Sequence, residues 1–236
     1  MLIDFHSHFL PGIDDGAQTV EIGTDMLCDA ASQGVVCSIA TPHYYPGRGV
    51  SVCEAIAARD DSYNRLVGYA TQHGAELPRI LRGFEVAYDD CLIKTDNLHD
   101  LCIEGTDYLL LEMPYGSWHE NIVENVYDLS ISGVKIVLAH MDRYYHMMGK
   151  SIFDLLSLGF PVQLNAEAFM TMHGRRFVKM LLDAGRTCVV GSDMHNMTVR
   201  PCDIGHAYEI AEKKFAHHAQ DLFYYNAHKL LLKGGE

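Results

Sequence analysis

Seven short runs of apolar, β-favouring residues recur along this chain, each followed by a segment of helical patterning. That alternation narrows the fold more than any other feature. The runs are "LIDF", "VVCSIAT", "ILRGFEV", "YLLLEM", "KIVLAH", "PVQLNA" and "TCVVGS". Helical patterning covers residues 19–33, 52–73, 119–132, 150–157, 173–184, 203–215 and 219–232. Strands separated by helices pair in parallel, because a crossover helix returns the chain to the same end of the sheet. The runs lack in/out alternation, as expected of strands covered on both faces. Seven such units predict a closed or nearly closed barrel rather than an open doubly wound sheet, and no glycine-rich nucleotide loop follows the first strand. With 236 residues, 48% of them apolar, and no linker or repeat, the chain is expected to form a single domain over 1–236.

What stands after each strand is the second constraint. His6 and His8 close the first, where residues two apart share a face, and Asp15 follows after a Pro-Gly turn. His43 follows the second, Glu85 the third, Glu112 the fourth and His140 the fifth. Asn165 and Glu167 follow the sixth; Asp193 and His195 follow the seventh. In a parallel barrel those ends converge on one face, where active sites are built. Nine His, Asp and Glu residues at the same end of six strands predict a metal site. Carboxylates mixed with imidazoles, without thiolates, suit Mn, Fe or Zn. So many donors exceed what one ion needs, so two or three ions with a bridging carboxylate are expected.

Composition excludes other classes. The formal charge of −13, with no Lys/Arg cluster, argues against a nucleic-acid binder. Seven scattered cysteines without a C-x-x-C pair argue against a disulfide framework or a cysteine zinc site. No run reaches the ~18 apolar residues of a membrane span, and no signal-peptide pattern opens the chain, so no membrane insertion and a cytoplasmic location are expected.

The segments "DFHSHFLPGIDDGA", "ATPHYYP", "GFEV", "LLLEMP", "VLAHMDRY" and "GSDMHNMTVRP", in that order, resemble the polymerase and histidinol phosphatase (PHP) superfamily. Within it they resemble the metal-dependent bacterial protein-tyrosine phosphatases of capsule and exopolysaccharide operons. The resemblance implies an α/β fold, a distorted (β/α)7 TIM-like barrel of PHP type, with three divalent ions, commonly Mn²⁺ or Fe, Zn²⁺ being possible. It implies a first ion held by His6, His8, Glu85 and Asp193, and a second held by Glu85, Glu112 and His140, with Glu85 bridging. A third would be held by Asp15, His43 and His195. Asp15 and Glu112 stand where histidinol-phosphate phosphatases and polymerase-associated members tend to have histidine, which favours the tyrosine-phosphatase branch. Asp14 is the weaker ligand of its pair and is expected to orient the loop or a bound water.

Arg143 and Arg200 match arginines with which the family grips phosphate. The reaction implied is attack of a metal-bridging hydroxide on the phosphorus of a phosphotyrosine-containing protein, the expected partner being the tyrosine-rich tail of a bacterial tyrosine kinase. Four carboxylates against three divalent ions leave the inner site positive, which suits a phosphomonoester dianion. Asp142 is only a weak candidate for a general acid.

Other readings stay open on the sequence. A histidinol-phosphate-type or other small-molecule phosphatase or phosphoesterase would use the same barrel, as would a phosphodiesterase or exonuclease, although no basic groove for a nucleic-acid strand is evident. An amidohydrolase-type enzyme would call for a bridging lysine at a strand end, where Lys94 and Lys135 do not lie. A non-catalytic, metal-stabilised module is the remaining class. "CEAIAAR", from Cys53 to Arg59, has the C-x5-R spacing of cysteine phosphatases, but its helix-forming, glycine-free interior predicts a helix rather than a phosphate loop. Tyr44, Tyr45 and Arg48 are candidate substrate contacts in the loop "YYPGRGV". Glu167 is expected either to crowd the site or to face solvent, and the segment after the sixth strand is short for the family.

Overall fold

The computed structural model describes residues 1–116, 118–145, 147 and 150–232. The first strand, β1 (Leu2–Ser7), is buried along its whole length and leads through a turn to α1 (Val20–Ser32). There Thr19 accepts the Ile22 N–H as N-cap, supplying a partner to one of the donors that a helix start leaves free. Next come β2 (Val35–Ala40), β3 (His43–Tyr44) and α2 (Val52–Gln72), whose start is fixed by a reciprocal Ser51–Glu54 capping box. Cys53 and Arg59 therefore lie inside the first turns of a helix, and the cysteine-phosphatase spacing is incidental.

The chain continues through β4 (Arg79–Arg82), β5 (Glu85–Ala87), β6 (Tyr108–Glu112), α3 (Ile122–Ile131) and β7 (Lys135–Leu138). Then follow α4 (Met141–Tyr144), α5 (Lys150–Ser157), β8 (Val162–Asn165), α6 (Glu167–Met170) and α7 (Met172–Asp183). The last elements are β9 (Cys188–Gly191), α8 (Ile204–Lys214), a π-helical turn at Asp221–Tyr225, and α9 (Asn226–Leu231).

All strand pairs among the described residues are parallel, in the orders β1-β2-β4 and β3-β5-β6-β7-β8-β9. Two expected strands are therefore interrupted. "VVCSIAT" stops at Ala40 and resumes at His43, because Pro42 has no N–H to give a ladder. "ILRGFEV" stops at Arg82 and resumes at Glu85. The breaks face each other: Gly83 donates to the Ala40 carbonyl (2.8 Å) and Glu85 to that of Pro42 (3.1 Å). At the other margin, Asp193 donates to the His6 carbonyl (2.8 Å) and His8 to that of Met194 (2.9 Å), so backbone bonds run from the segment after β9 back to β1.

Successive strand residues feed different apolar clusters. Leu110, Val137, Val189, Phe5 and Ile39 pack together, whereas their neighbours Leu109, Leu111, Leu138 and Val190 pack in a larger cluster that includes the helix residues Leu27, Leu66 and Phe177. This is the two-sided burial that the uninterrupted apolar runs imply. The helices expected at 119–132 and 219–232 are shorter than the patterning suggests, beginning at Ile122 and, after the π-helical turn, at Asn226. The short α4 and α6, four residues each, carry too little periodicity to register in the sequence.

Candidate metal centre

The strand ends bring all nine acidic and imidazole candidates into one cluster. His6 Nε2 and His8 Nε2 lie 3.0 Å apart, and each lies 3.2–3.3 Å from Glu85 Oε2 and 3.6–3.8 Å from Asp193 Oδ1. His140 Nε2 faces Glu85 Oε1 at 2.6 Å and Glu112 Oε1 at 3.6 Å. Asp15 Oδ1 is 3.3 Å from both His43 Nε2 and His195 Nε2, and His43 Nδ1 is 3.0 Å from Glu85 Oε2. Four overlapping groups result: His8, Asp15, His43 and His195; His6, His8 and Asp193; His6, Glu85 and His140; and His43, Glu85 and Glu112. Glu85 and three of the imidazoles belong to two groups each, so the cluster is continuous.

Two of the imidazoles, His8 and His195, are held through Nδ1, which turns Nε2 toward the cluster. His8 Nδ1 meets Asp14 Oδ2 at 2.8 Å, and Asp14 also accepts from the backbone of His43 (3.2 Å) and Gly16 (2.9 Å). The loop closes this tightly because residue 16 is glycine: a Cβ there would stand 2.0 Å from the His8 carbonyl oxygen. His195 Nδ1 meets the Asp193 carbonyl at 2.9 Å, leaving its buried Nε2 without a hydrogen-bond partner. Two of the candidates, His140 (φ 29°) and Asp193 (φ 53°), adopt left-handed backbone conformations uncommon for non-glycine residues and often concentrated at functional sites.

These donors fit a divalent ion. Bonds of about 2.1 Å set donors about 3.0 Å apart in an octahedron and about 3.4 Å apart in a tetrahedron. The separations above fall around those edges, and a buried imidazole nitrogen without a partner is a lone pair waiting for a Lewis acid. Electrostatics point the same way. Burial works against an ionised Glu85, but His6 and His140 hold its carboxyl well below the usual range. Burial also opposes the Asp193 charge, which His6 and Arg143 outweigh, lowering it as well. Glu112 is pushed up to about 7 by burial and by the neighbouring Glu85. His8, despite its burial, is driven up to about 10 by its bonds to Asp14 and Glu85. Burial and the nearby His8 bring His195 down to about 4. Without a metal, protons therefore balance the carboxylates unevenly across the cluster.

A cavity of about 480 Å³ opens above the cluster, lined by Glu85, Glu112, His43, His195, both arginines and the rings of Tyr45, Tyr88 and Tyr115. Arg143 and Arg200 converge on Asp193 Oδ2, Arg200 at 2.7 Å. Of the loop candidates, Tyr45 lines the cavity under the Arg48 guanidinium, 4.0 Å from its ring centre. Tyr44 instead packs in the core against Phe84. Asp142 accepts the Asn165 backbone N–H at 2.9 Å, which engages it with β8 rather than with the cavity. Glu167 begins α6 with its side chain in solvent, so it does not crowd the site. The sequence reading missed Gln163, whose amide touches His6 and the His140 backbone. Its signal was a polar residue in the middle of a buried strand.

Architecture and site together define an α/β protein of parallel strands whose C-terminal ends carry a cluster of carboxylates and imidazoles that could hold metal. The sequence model for capsular polysaccharide synthesis proteins of the CpsB/CapC type matches residues 2–232, and the chain belongs to that family. It is 27% identical to the tyrosine-protein phosphatase CpsB of Streptococcus pneumoniae, with 98% of each chain covered. It is 28% identical to the tyrosine-protein phosphatase YwqE of Bacillus subtilis, covering 98% of this chain and 91% of that one. A crystal structure from work on those two proteins, described there as unique metal-dependent tyrosine phosphatases, superimposes with a TM-score of 0.82 at 25% identity, covering 99% and 96% of the two chains. No described helix is long and apolar enough to cross a membrane.

Proposed function

We propose that this chain is a metal-dependent protein-tyrosine phosphatase acting in the control of capsule or exopolysaccharide synthesis. The observation that carries the reading is the convergence of nine donors into four overlapping groups beneath a cavity lined by arginines and aromatic rings. The names borne by its relatives supply the phosphotyrosine. In this reading the chain is one distorted (β/α)7 barrel domain over 1–236, the bonds from Asp193 and Met194 to β1 serving to close it. Three divalent ions, Mn²⁺ or Fe in the first instance, are assigned to His6, His8, Glu85 and Asp193; to Glu85, Glu112 and His140; and to Asp15, His43 and His195. When bound, such ions supply Lewis acidity toward phosphoryl oxygens and a water made acidic enough to attack at neutral pH.

The chain's own residues do the rest. Arg143 and Arg200 offer planar forks to the equatorial phosphoryl oxygens, where charge builds up in the transition state. Tyr45 and Tyr115 give an aryl leaving group apolar walls. A phenolate leaves with a reference pKa of about 10, so less protonation is required than for an alkoxide, and no general acid is assigned. The protein partner is assigned as the tyrosine-rich tail of a bacterial tyrosine kinase, met in the cytoplasm.

The test is initial-rate hydrolysis of a phosphotyrosine peptide by metal-stripped protein, with and without Mn²⁺, beside His140→Ala. Activity that requires metal and is lost in the variant supports the reading. Metallated protein that ignores phosphotyrosine yet cleaves a diester or an amide overturns it.

A further inference from the structure

Two amides occupy the inner face of β8, where a strand covered on both sides ordinarily carries apolar side chains. Gln163 is 0% exposed and Asn165 3%. Gln163 Oε1 receives the His140 backbone N–H at 2.6 Å and lies 3.0 Å from His6 Nδ1. Gln163 Nε2 donates to Asn165 Oδ1 at 3.0 Å, and Asn165 Nδ2 donates to Asp193 Oδ2 at 3.0 Å.

The two ends of this chain of bonds settle every orientation within it. A backbone N–H can only donate, so Gln163 must turn its oxygen toward His140. An ionised carboxylate can only accept, so Asn165 must turn its nitrogen toward Asp193. The amide groups left between them then match as donor and acceptor. An oxygen facing His6 Nδ1 requires a proton on that nitrogen, which leaves Nε2, 3.2 Å from Glu85 Oε2, as the ring nitrogen available to an ion. The same bonds grip the two left-handed residues of the cluster, His140 by its backbone and Asp193 by its carboxylate. Packing leaves Gln163 little room to swing, because Gly191 crosses so close that a Cβ there would stand 2.9 Å from Gln163 Nε2.

We propose that Gln163 and Asn165 form an amide relay that fixes the tautomer of His6 and aims the Asp193 carboxylate, making both positioning residues of the metal centre. The inference rests on the cluster being a metal centre. Partners of this kind orient ligands and raise their basicity, and their loss typically weakens metal binding 10–100-fold.

The experiment is Mn²⁺ titration of metal-stripped protein by calorimetry for wild type, Gln163→Leu, Asn165→Val and the double variant, with thermal unfolding of each metal-stripped form as a folding control. Nitrogen NMR of the imidazoles in Zn²⁺-loaded protein reads the His6 tautomer. Gln163→Leu is expected to weaken Mn²⁺ binding about 10–100-fold and to lose the fixed Nδ1–H of His6. Asn165→Val is expected to weaken binding while keeping that signature, and to cost nothing further in the Gln163→Leu background, since a broken relay cannot be broken twice. Wild-type affinity in Gln163→Leu, an unchanged His6 signal, or additive losses in the double variant would each overturn the relay. Should Gln163→Leu fail to fold, Gln163→Glu keeps the acceptor toward His6 and His140 but loses the donor toward Asn165. Asn165→Val must then be silent in that background, and a full loss there overturns the proposal. Wild-type protein that takes up no Mn²⁺ would instead sink the metal-centre reading.

Discussion

Asp14 Oδ2 lies 2.8 Å from His8 Nδ1 and also accepts the backbone N–H of His43 at 3.2 Å, so one carboxylate braces two imidazole-bearing segments of the cluster. Asp14→Ala is predicted to weaken Mn²⁺ binding about 10–100-fold. Asp14→Asn, which keeps an acceptor, should fall between that variant and wild type. Calorimetric titration reads both, and equal affinity in all three proteins would contradict the assignment.

Metal uptake should expel protons. In the metal-free cluster His8 is raised to about 10 by its bonds to Asp14 and Glu85, so near neutral pH it holds a proton that must leave before its Nε2 can bind an ion. The neighbouring carboxylates Glu85 and Asp193 shift His6 in the same direction. With the folded value above the ordinary one, the protonated form is favoured at every pH below about 10, and Mn²⁺ affinity rises with pH throughout that window. The slope is about tenfold per pH unit for each proton released. Calorimetry at pH 7 in buffers of different ionisation enthalpy measures the release directly, and heats independent of buffer would refute it.

Asp15 is the outermost of the candidate ligands, its side chain 66% exposed where Glu85 is 1% exposed. The ion assigned to Asp15, His43 and His195 is therefore the most readily lost. Asp15→Ala is predicted to lower Mn²⁺ stoichiometry by one ion and leave the others bound, as elemental analysis after gel filtration would show. Loss of all the metal, or of none, would be inconsistent with separable sites.

Arg200 holds Asp193 Oδ2 at 2.7 Å while lining the cavity, and Arg143 reaches the same oxygen. Arg200→Ala is predicted to lower kcat/KM for a phosphotyrosine peptide about 100-fold, the usual effect of removing a donor to developing charge. Arg200→Lys should recover little of it, since a point charge lacks the fork. Steady-state kinetics at saturating Mn²⁺ decide the matter. A change in metal stoichiometry with unchanged kinetics would mean that Arg200 serves only Asp193.

The parallel α/β frame and the strand-end cluster were legible because both rest on strong local patterns: apolar runs of strand length, and charged or imidazole residues where those runs stop. His6 and His8 show this best, since strand geometry alone puts them on one face. Long-range details left weaker traces. Pro42 and Gly83 signal the two strand breaks only once the facing backbone is known, because each break exists to serve the other's hydrogen bonds. Gln163 was overlooked because an amide inside "PVQLNA" looks like a blemish in a strand, and its meaning depends on His6 and His140, far away in sequence. The bracing by Asp14 was partly legible, as the neighbour of a stronger candidate.

The most direct measurement of the central claim is an anomalous difference map at the manganese edge from crystals of metal-stripped protein soaked in Mn²⁺. The account predicts peaks within the cluster, bounded by His6, His8, Glu85 and Asp193; by Glu85, Glu112 and His140; and by Asp15, His43 and His195, all beneath the cavity that holds Arg143 and Arg200. Crystals that bind Mn²⁺ elsewhere and leave these strand ends without a peak would contradict it.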